Sequence, residues 1–370
     1  MEPVEPKIDA LLASPPYSLS PEEKTLRLLE VWRAELELVC QRHAGLNNYI
    51  QHWPLDYRVA TRVADLPFLP VAMLKANPPL ALVGPSEIKR TLTSSATTGQ
   101  VPSRVVLDSQ TARRMTKGVA AILQNFIGSS RRPYLVVDVP GATAGKQELG
   151  ARGAAIQGLQ PFASEISYCL RIEGSGEFTL DRERLFKFAA AHSSSSVLVY
   201  GFTYLLWNHL AKPLLAERAC LGLTNVHILH SGGWKRLQDQ SVDKKQFNEG
   251  LAQVFGCSPA RVIDFYGLVE NVGVIYPDCA EGNKHAPAFG EVVVRHPLTL
   301  EPVGKGETGL IQVCSVLPTS FPGHLLLTED IGEVVALDEC PCGRRGTAFR
   351  FVGRAPKSEV RGCGNIQTQR

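Results

Sequence analysis

Three groups of residues in this chain have the types and spacing to do chemistry. Thr93-Ser94-Ser95-Ala96-Thr97-Thr98-Gly99-Gln100 holds six hydroxyl or glycine residues in eight and follows the pair Lys89-Arg90. Such a loop can wrap a polyphosphate, because exposed backbone N–H groups and rotatable hydroxyls donate to phosphate oxygens from several directions; the same composition also suits a plain solvated loop. Cys279 and His285 form a Cys-x5-His pair, and Cys340 and Cys342 a Cys-x-Cys pair, with glycines nearby in both. Four soft or borderline ligands suit tetrahedral Zn²⁺, with unrelated reduced thiols as the alternative. Cys363 stands between two glycines after Arg361, in a terminal segment where mobility and a nearby cation favour a reachable thiolate; an inert tail thiol is the alternative. Gly141-Ala142-Thr143-Ala144-Gly145-Lys146-Gln147 is rejected as a P-loop, since its glycines are one residue too close and Gln147 replaces the metal-binding hydroxyl.

The surrounding sequence says which elements must position these groups. Ser20, Pro21 and Glu23 predict a capped helix start, and Leu26, Leu29, Trp32, Leu36 and Val39 recur at helical spacing until Gly45. Residues 46 to 90 are rich in proline and read as irregular structure. A strand at 103–107, a helix over 109–126 and the apolar run Tyr134–Val139 follow. A second unit of the same kind has a helix over 181–191, a strand over 197–200, a turn at Gly201 and a helix through Trp207. Val226–His230 leads into Ser231-Gly232-Gly233, and a helix over 244–255 precedes Arg261–Gly267. Strands alternating with helices, each ending in glycine or serine, predict an α/β sheet with ligand-binding loops at the strand ends. Beyond residue 287 the short pieces 291–295, 308–316, 324–328 and 332–337 predict a smaller β subdomain. The expected division is 1–90, 91–286, 287–353 and a tail over 354–370.

Composition excludes several classes. A net charge of +3 argues against a nucleic-acid partner. No apolar run reaches the roughly 18 residues that span a bilayer, and Met1-Glu2-Pro3-Val4 lacks the start of a signal peptide, so a cytoplasmic location is expected. With nine cysteines and no export signal, reduced thiols are expected rather than a disulfide framework; Cys40, Cys169, Cys220, Cys257 and Cys314 sit among apolar residues and read as core thiols.

Taken together, the loops resemble the adenylate-forming superfamily of acyl-activating ligases over residues 90 to 363. Ser94-Ser95-Ala96-Thr97-Thr98-Gly99 resembles its phosphate loop and Ser231-Gly232-Gly233 its adenine-floor loop. Asp264-Phe265-Tyr266-Gly267-Leu268-Val269-Glu270 is similar to its aromatic-Gly-x-x-Glu segment, Thr328-Glu329-Asp330 to its ribose-binding Asp, and Gly353-Arg354 to its hinge-proximal arginine. The resemblance implies stacked α/β sheets plus a β subdomain, with ATP and Mg²⁺ as cofactors. Residues 94 to 99 would hold the pyrophosphate, Glu270 would place Mg²⁺, Asp330 would accept the ribose hydroxyls, and adenine would lie between Gly232-Gly233 and Tyr266. Tyr200, Gly201 and Phe202, at a strand end before a helix, are positioned to line the acid pocket. Similar aryl ligases also carry residues like the Cys/His set.

A narrower resemblance is carried by Thr91-Leu92-Thr93-Ser94-Ser95, His230-Ser231-Gly232-Gly233-Trp234-Lys235, Ser320-Phe321-Pro322-Gly323-His324 and Glu359-Val360-Arg361-Gly362-Cys363. These are similar to the acyl-protein synthetase family of the bacterial luminescence fatty-acid reductase complex. That family activates a carboxylic acid with ATP and moves the acyl group onto its own cysteine, from which a partner reductase takes it; Cys363 matches that acceptor. Two departures stand out. Ala96 replaces a glycine, and the lysine after the loop is missing, with Arg104 the nearest cation. The end at Arg370 leads to the expectation that the superfamily's C-terminal domain is lacking, which disfavours a simple acyl-coenzyme A ligase. The alternatives are an adenylate-forming enzyme for an aromatic acid and a catalytically silent nucleotide-binding scaffold.

Overall fold

The computed structural model describes residues 4–94, 101–143, 148–149, 151–174, 177–234 and 241–355. Its centre is a six-stranded sheet in the order Ile275–Pro277, Val262–Gly267, Val226–Ser231, Val197–Phe202, Arg132–Val137, Ala163–Tyr168. All neighbours run parallel except Ile275–Pro277, which folds back antiparallel on Val262–Gly267. A parallel sheet needs cover on both faces, and its strands read accordingly as continuous apolar runs: Leu135, Val136, Val137, Leu198, Val199, Ile228 and Leu229 are all fully buried. Helices Ser109–Ile127, Arg182–Ala191 and Lys244–Phe255 follow the strands. Asp108, Asp181 and Asp243 cap them, each carboxylate accepting from the backbone N–H three residues on.

The second sheet is antiparallel, in the order Lys284–His285, Thr347–Arg354, Leu325–Leu337, Thr308–Ser315, Gly290–Arg295, with Leu69–Pro70 joined to it alongside Leu325–Leu337. It packs on the long helix Pro21–Arg42, which starts as expected with Ser20 accepting from the Glu23 N–H; Trp32 is fully buried there and donates its indole N–H to the Ser315 carbonyl at 3.2 Å. A smaller sheet pairs Arg90–Thr93 with Arg104–Leu107.

Several expected boundaries change. Residues 44–51 are helical rather than irregular. Gly201 lies inside a strand, not at a turn: a Cβ there would come within 3.0 Å of both Leu206 and Val137, so glycine marks a close packing contact. The pieces 324–328 and 332–337 are one strand of 13 residues, Leu325–Leu337, with Asp330 in its middle. Cys220 is exposed, and Cys40 and Cys257 are half-buried; only Cys169 and Cys314 of the five are core thiols. Lys284–His285 is hydrogen-bonded into the second sheet although it precedes residue 287.

Candidate active site

The parallel strands deliver their functional residues at one edge, their carboxyl ends, where open α/β sheets bind ligands. Register sets Ser231 beside Phe202 and His230 beside both Gly201 and Asp264. Tyr200 and Ser231 share a hydrogen bond between hydroxyls at 3.0 Å, and the Tyr200 ring stacks on Phe265 at 6.0 Å. Gly232 has φ +71°, a left-handed conformation that glycine adopts without cost, and a Cβ there would sit 3.4 Å from the Phe202 ring. Above Gly233 a Cβ would meet nothing within 4 Å among the described residues. The loop therefore presents bare backbone backed by an aromatic ring, a surface on which a flat base fits.

The second sheet brings three more expected residues into one cluster. Pairing of Leu325–Leu337 with Thr347–Arg354 sets Asp330 opposite Arg354, whose Nε lies 3.5 Å from Asp330 Oδ1. Tyr266 donates its hydroxyl to Asp330 Oδ2 at 2.8 Å, and the Asp330 N–H donates to Thr328 Oγ1 at 3.1 Å. Burial raises the Asp330 carboxyl above the usual range, opposed by the Tyr266 hydrogen bond and the Arg354 charge. The Tyr266 ring makes stacked contacts with Phe351 at 5.3 Å and Tyr276 at 5.9 Å. Phe351, which the sequence reading did not single out, is 40 % exposed and so stands at the rim of this cluster.

Glu270 lies in the turn after Gly267. It is buried, yet it has neither a hydrogen-bond nor an ion-pair partner among the described residues. Its oxygens are not among the side-chain atoms sealed from solvent without a partner, so they are open to a ligand, and a carboxylate so placed fits a hard divalent cation such as Mg²⁺. The turn is held from outside by a glycine contact. A Cβ on Gly118 of helix Ser109–Ile127 would lie 2.5 Å from the Gly273 carbonyl oxygen, and one on Gly273 would lie 2.8 Å from Met115 Cα. The same helix follows the Arg90–Thr93 and Arg104–Leu107 hairpin, whose ends are fastened where Ser94 N–H donates to the Ser103 carbonyl and Ser103 N–H to Ser94 Oγ. Ser95, Ala96, Thr97, Thr98 and Gly99, which follow Ser94 in sequence, lie outside the described residues, as does Cys363.

A buried ionic network stands behind this edge, and the sequence reading missed it. Lys284 Nζ lies 3.0 Å from both Asp264 Oδ2 and Asp278 Oδ1, and Lys244 reaches Asp278 at 2.6 Å. Burial alone would raise the Asp264 carboxyl, but Lys284, together with His230 and Lys244, outweighs it and holds Asp264 below the ordinary range. Asp264 is thus already supplied with a counter-ion by the protein. His230 Nδ1 contacts Thr203 Oγ1 at 3.0 Å, and burial lowers its pKa. The one signal for Lys284 was its place beside His285, since adjacent residues of a strand face opposite ways.

That neighbour belongs to the Cys/His set, which the fold assembles. The ligand atoms of Cys279, His285, Cys340 and Cys342 all lie within 4.8 Å of one another. Cys279 Sγ and Cys340 Sγ are 3.9 Å apart, and Cys342 Sγ is 3.3 Å from His285 Nε2. With Zn–S near 2.3 Å and Zn–N near 2.0 Å, a tetrahedral site has edges of about 3.8 and 3.5 Å, so these separations fit a zinc ion. Burial, with Arg344 and Lys24 nearby, lowers His285 to about 4 and keeps its imidazole in the neutral, ligating form.

Solved structures share this architecture. An open form of 2-hydroxyisobutyryl-CoA ligase superimposes with a TM-score of 0.68 at 17 % identity, over 91 % of this chain and 76 % of that one. The post-adenylation state of the same ligase gives 0.65 over 91 % and 69 %. The fold is therefore that of the adenylate-forming ligases. Within it, the chain belongs to the acyl-protein synthetase family, whose model (Acyl-protein synthetase, LuxE) matches residues 4–370, and it is accordingly a ligase. Two long-chain-fatty-acid–luciferin-component ligases are similar to it. That of Vibrio harveyi is 24 % identical over 88 % of this chain and 86 % of its own. That of Aliivibrio fischeri is 29 % identical over 50 % of this chain, and the match spans about half (51 %) of that relative. No helix among the described residues is long and apolar enough to cross a membrane.

Proposed function

We propose that this chain activates a carboxylic acid with ATP as an acyl-adenylate and then moves the acyl group onto Cys363 for collection by a reductase partner. The observation that carries the reading is the convergence of Tyr266, hydrogen-bonded to Asp330, and Arg354, ion-paired with it, at the edge that also holds the Gly232-Gly233 backbone and Glu270, which has no partner among the described residues. In the first half-reaction a carboxylate oxygen attacks the α-phosphorus of ATP and the bond to pyrophosphate breaks. Asp330 retains lone pairs on both oxygens for ribose hydroxyls, and Arg354, 75 % exposed at its side chain, supplies a cation to the phosphates without leaving Asp330. Glu270 would hold Mg²⁺, which when bound offsets phosphate charge. The hydroxyl loop over residues 94 to 99 would receive the pyrophosphate. Tyr200, Gly201 and Phe202, with the apolar residues around them, would receive the acyl chain. In the second half-reaction the Cys363 thiolate attacks the acyl carbon and AMP leaves, giving a thioester.

Zinc at Cys279, His285, Cys340 and Cys342 would have no part in these steps. It would tie the end of the parallel sheet to the second sheet. Protein purified without chelator is expected to carry about one zinc per chain and Cys340→Ser to lose it; wild type with far less would remove the proposal.

The acylation reading is tested by intact mass after incubation with ATP, Mg²⁺ and a panel of fatty and aromatic acids, for wild type and Cys363→Ser. A hydroxylamine-labile adduct on wild type alone is expected. Pyrophosphate release without an adduct would favour delivery of a free adenylate, and neither signal with any acid would leave a silent scaffold.

A further inference from the structure

At the amino ends of the same parallel strands, opposite the candidate active site, two guanidinium groups converge on one imidazole. Arg132 opens its strand, His227 is the second residue of Val226–Ser231, and Arg261 immediately precedes Val262–Gly267. Arg132 NH1 lies 3.2 Å from His227 Nδ1, and Arg261 NH1 lies 2.8 Å from His227 Nε2. Arg132 is buried and fixed by two backbone carbonyls, donating from Nε to Ser130 at 3.1 Å and from NH2 to Ile127 at 2.8 Å. Neither arginine has a carboxylate partner among the described residues.

The count of lone pairs does not close. A neutral imidazole carries one acceptor nitrogen and one N–H, so it can accept from only one of the two arginines. The other guanidinium then faces an N–H, donor against donor, in a partly desolvated place. Protonation makes matters worse by adding a third positive charge; burial and the two arginines accordingly hold His227 down at about 4. What the cluster lacks is an acceptor with negative charge. Such a group would take the imidazole N–H and the unmatched guanidinium together, and guanidinium forks match oxyanions best. Arg261 is only half-buried, so an anion can reach the cluster from solvent, and Ser130 and Arg131 at its margin are exposed.

We propose that Arg132, His227 and Arg261 form a binding site for a compact oxyanion of the phosphate or sulfate type, separate from the nucleotide edge. The test uses full-length protein labelled with ¹⁵N-histidine, with His227 ring resonances assigned by difference against His227→Gln. Inorganic phosphate is titrated at constant ionic strength set with chloride. A saturable shift of the His227 ring signals is expected in wild type. Arg261→Gln, a change at a half-buried residue, should need at least tenfold more phosphate while releasing pyrophosphate as wild type does. Arg131→Gln, which removes a neighbouring exposed charge outside the cluster, should titrate like wild type. Three results would overturn the proposal: no saturable shift in wild type, equal phosphate dependence in Arg261→Gln, or equal weakening by Arg131→Gln.

Discussion

Asp264 and Glu270 lie in one short segment, one half-buried and one largely buried, but the protein treats their carboxylates in opposite ways. Asp264 is met by Lys284, which also holds Asp278, while Lys244 closes the network from outside. Glu270 is buried with no partner among the described residues. Paired charges fix geometry, whereas a carboxylate without a protein partner is free to take a ligand.

The sharpest way to break the comparison is Lys284→Met, which leaves Asp264 without its ammonium and Asp278 with Lys244 alone. A loss of about 3–5 kcal/mol in urea unfolding is expected; a change below about 1 kcal/mol would mean the network is not buried as described. Glu270→Gln should do the reverse. The fold should be about as stable as wild type, since no hydrogen bond or ion pair to a described residue is lost. ATP-dependent pyrophosphate release should fall about 100-fold, roughly 2.7 kcal/mol in the barrier, and extra Mg²⁺ should not restore it. Full activity in that variant would return Glu270 to the structural class.

A third treatment of buried charge occurs under the second sheet and gives the smallest effect. His324 and Glu35 meet at 3.5 Å, both buried, with His324 Nε2 and both Glu35 oxygens lacking a hydrogen-bond partner. Here burial works against the charged form of each group, moving His324 down to about 4 and Glu35 well above its ordinary value. The two slopes oppose each other. The depressed histidine contributes stability that is fully present above about pH 6.5 and is lost as pH falls toward 4, because the unfolded chain takes up the proton first. The raised glutamate contributes stability that is present below about pH 4.5 and lost as pH rises above it. Glu35→Gln should therefore unmask the histidine. Relative to wild type, the variant should lose on the order of 1–2 kcal/mol between pH 6.5 and 4. Parallel stability curves for the two proteins would sink this account.

Local signals explain what could be read without coordinates. Ser20, Pro21 and Glu23 state a helix start in their own chemistry, and the apolar run at 134–137 needs two covered faces wherever it lies. Thr328-Glu329-Asp330 misleads, because turn-forming side chains here sit mid-strand, held by pairing with residues 350 to 354. Gly201 misleads for a related reason, as its missing side chain answers a neighbour rather than a bend. The Cys/His set was legible because metal ligands must be rare residue types at short spacings. Lys284 was not, since its partners Asp264 and Asp278 reach it only through the junction of two sheets.

The contact of Gly118 with Gly273 has a wider meaning for how the candidate site keeps its dimensions. One helix ends at its amino side in the hairpin that carries the hydroxyl loop, and along its length it touches the turn that carries Glu270. It works as a spacer gauge with no slack, since a single methyl group at residue 118 would already exceed the gap. Whatever separation the two halves of the site require is thereby written into the length and pitch of a helix, and wear at one end would be read at the other.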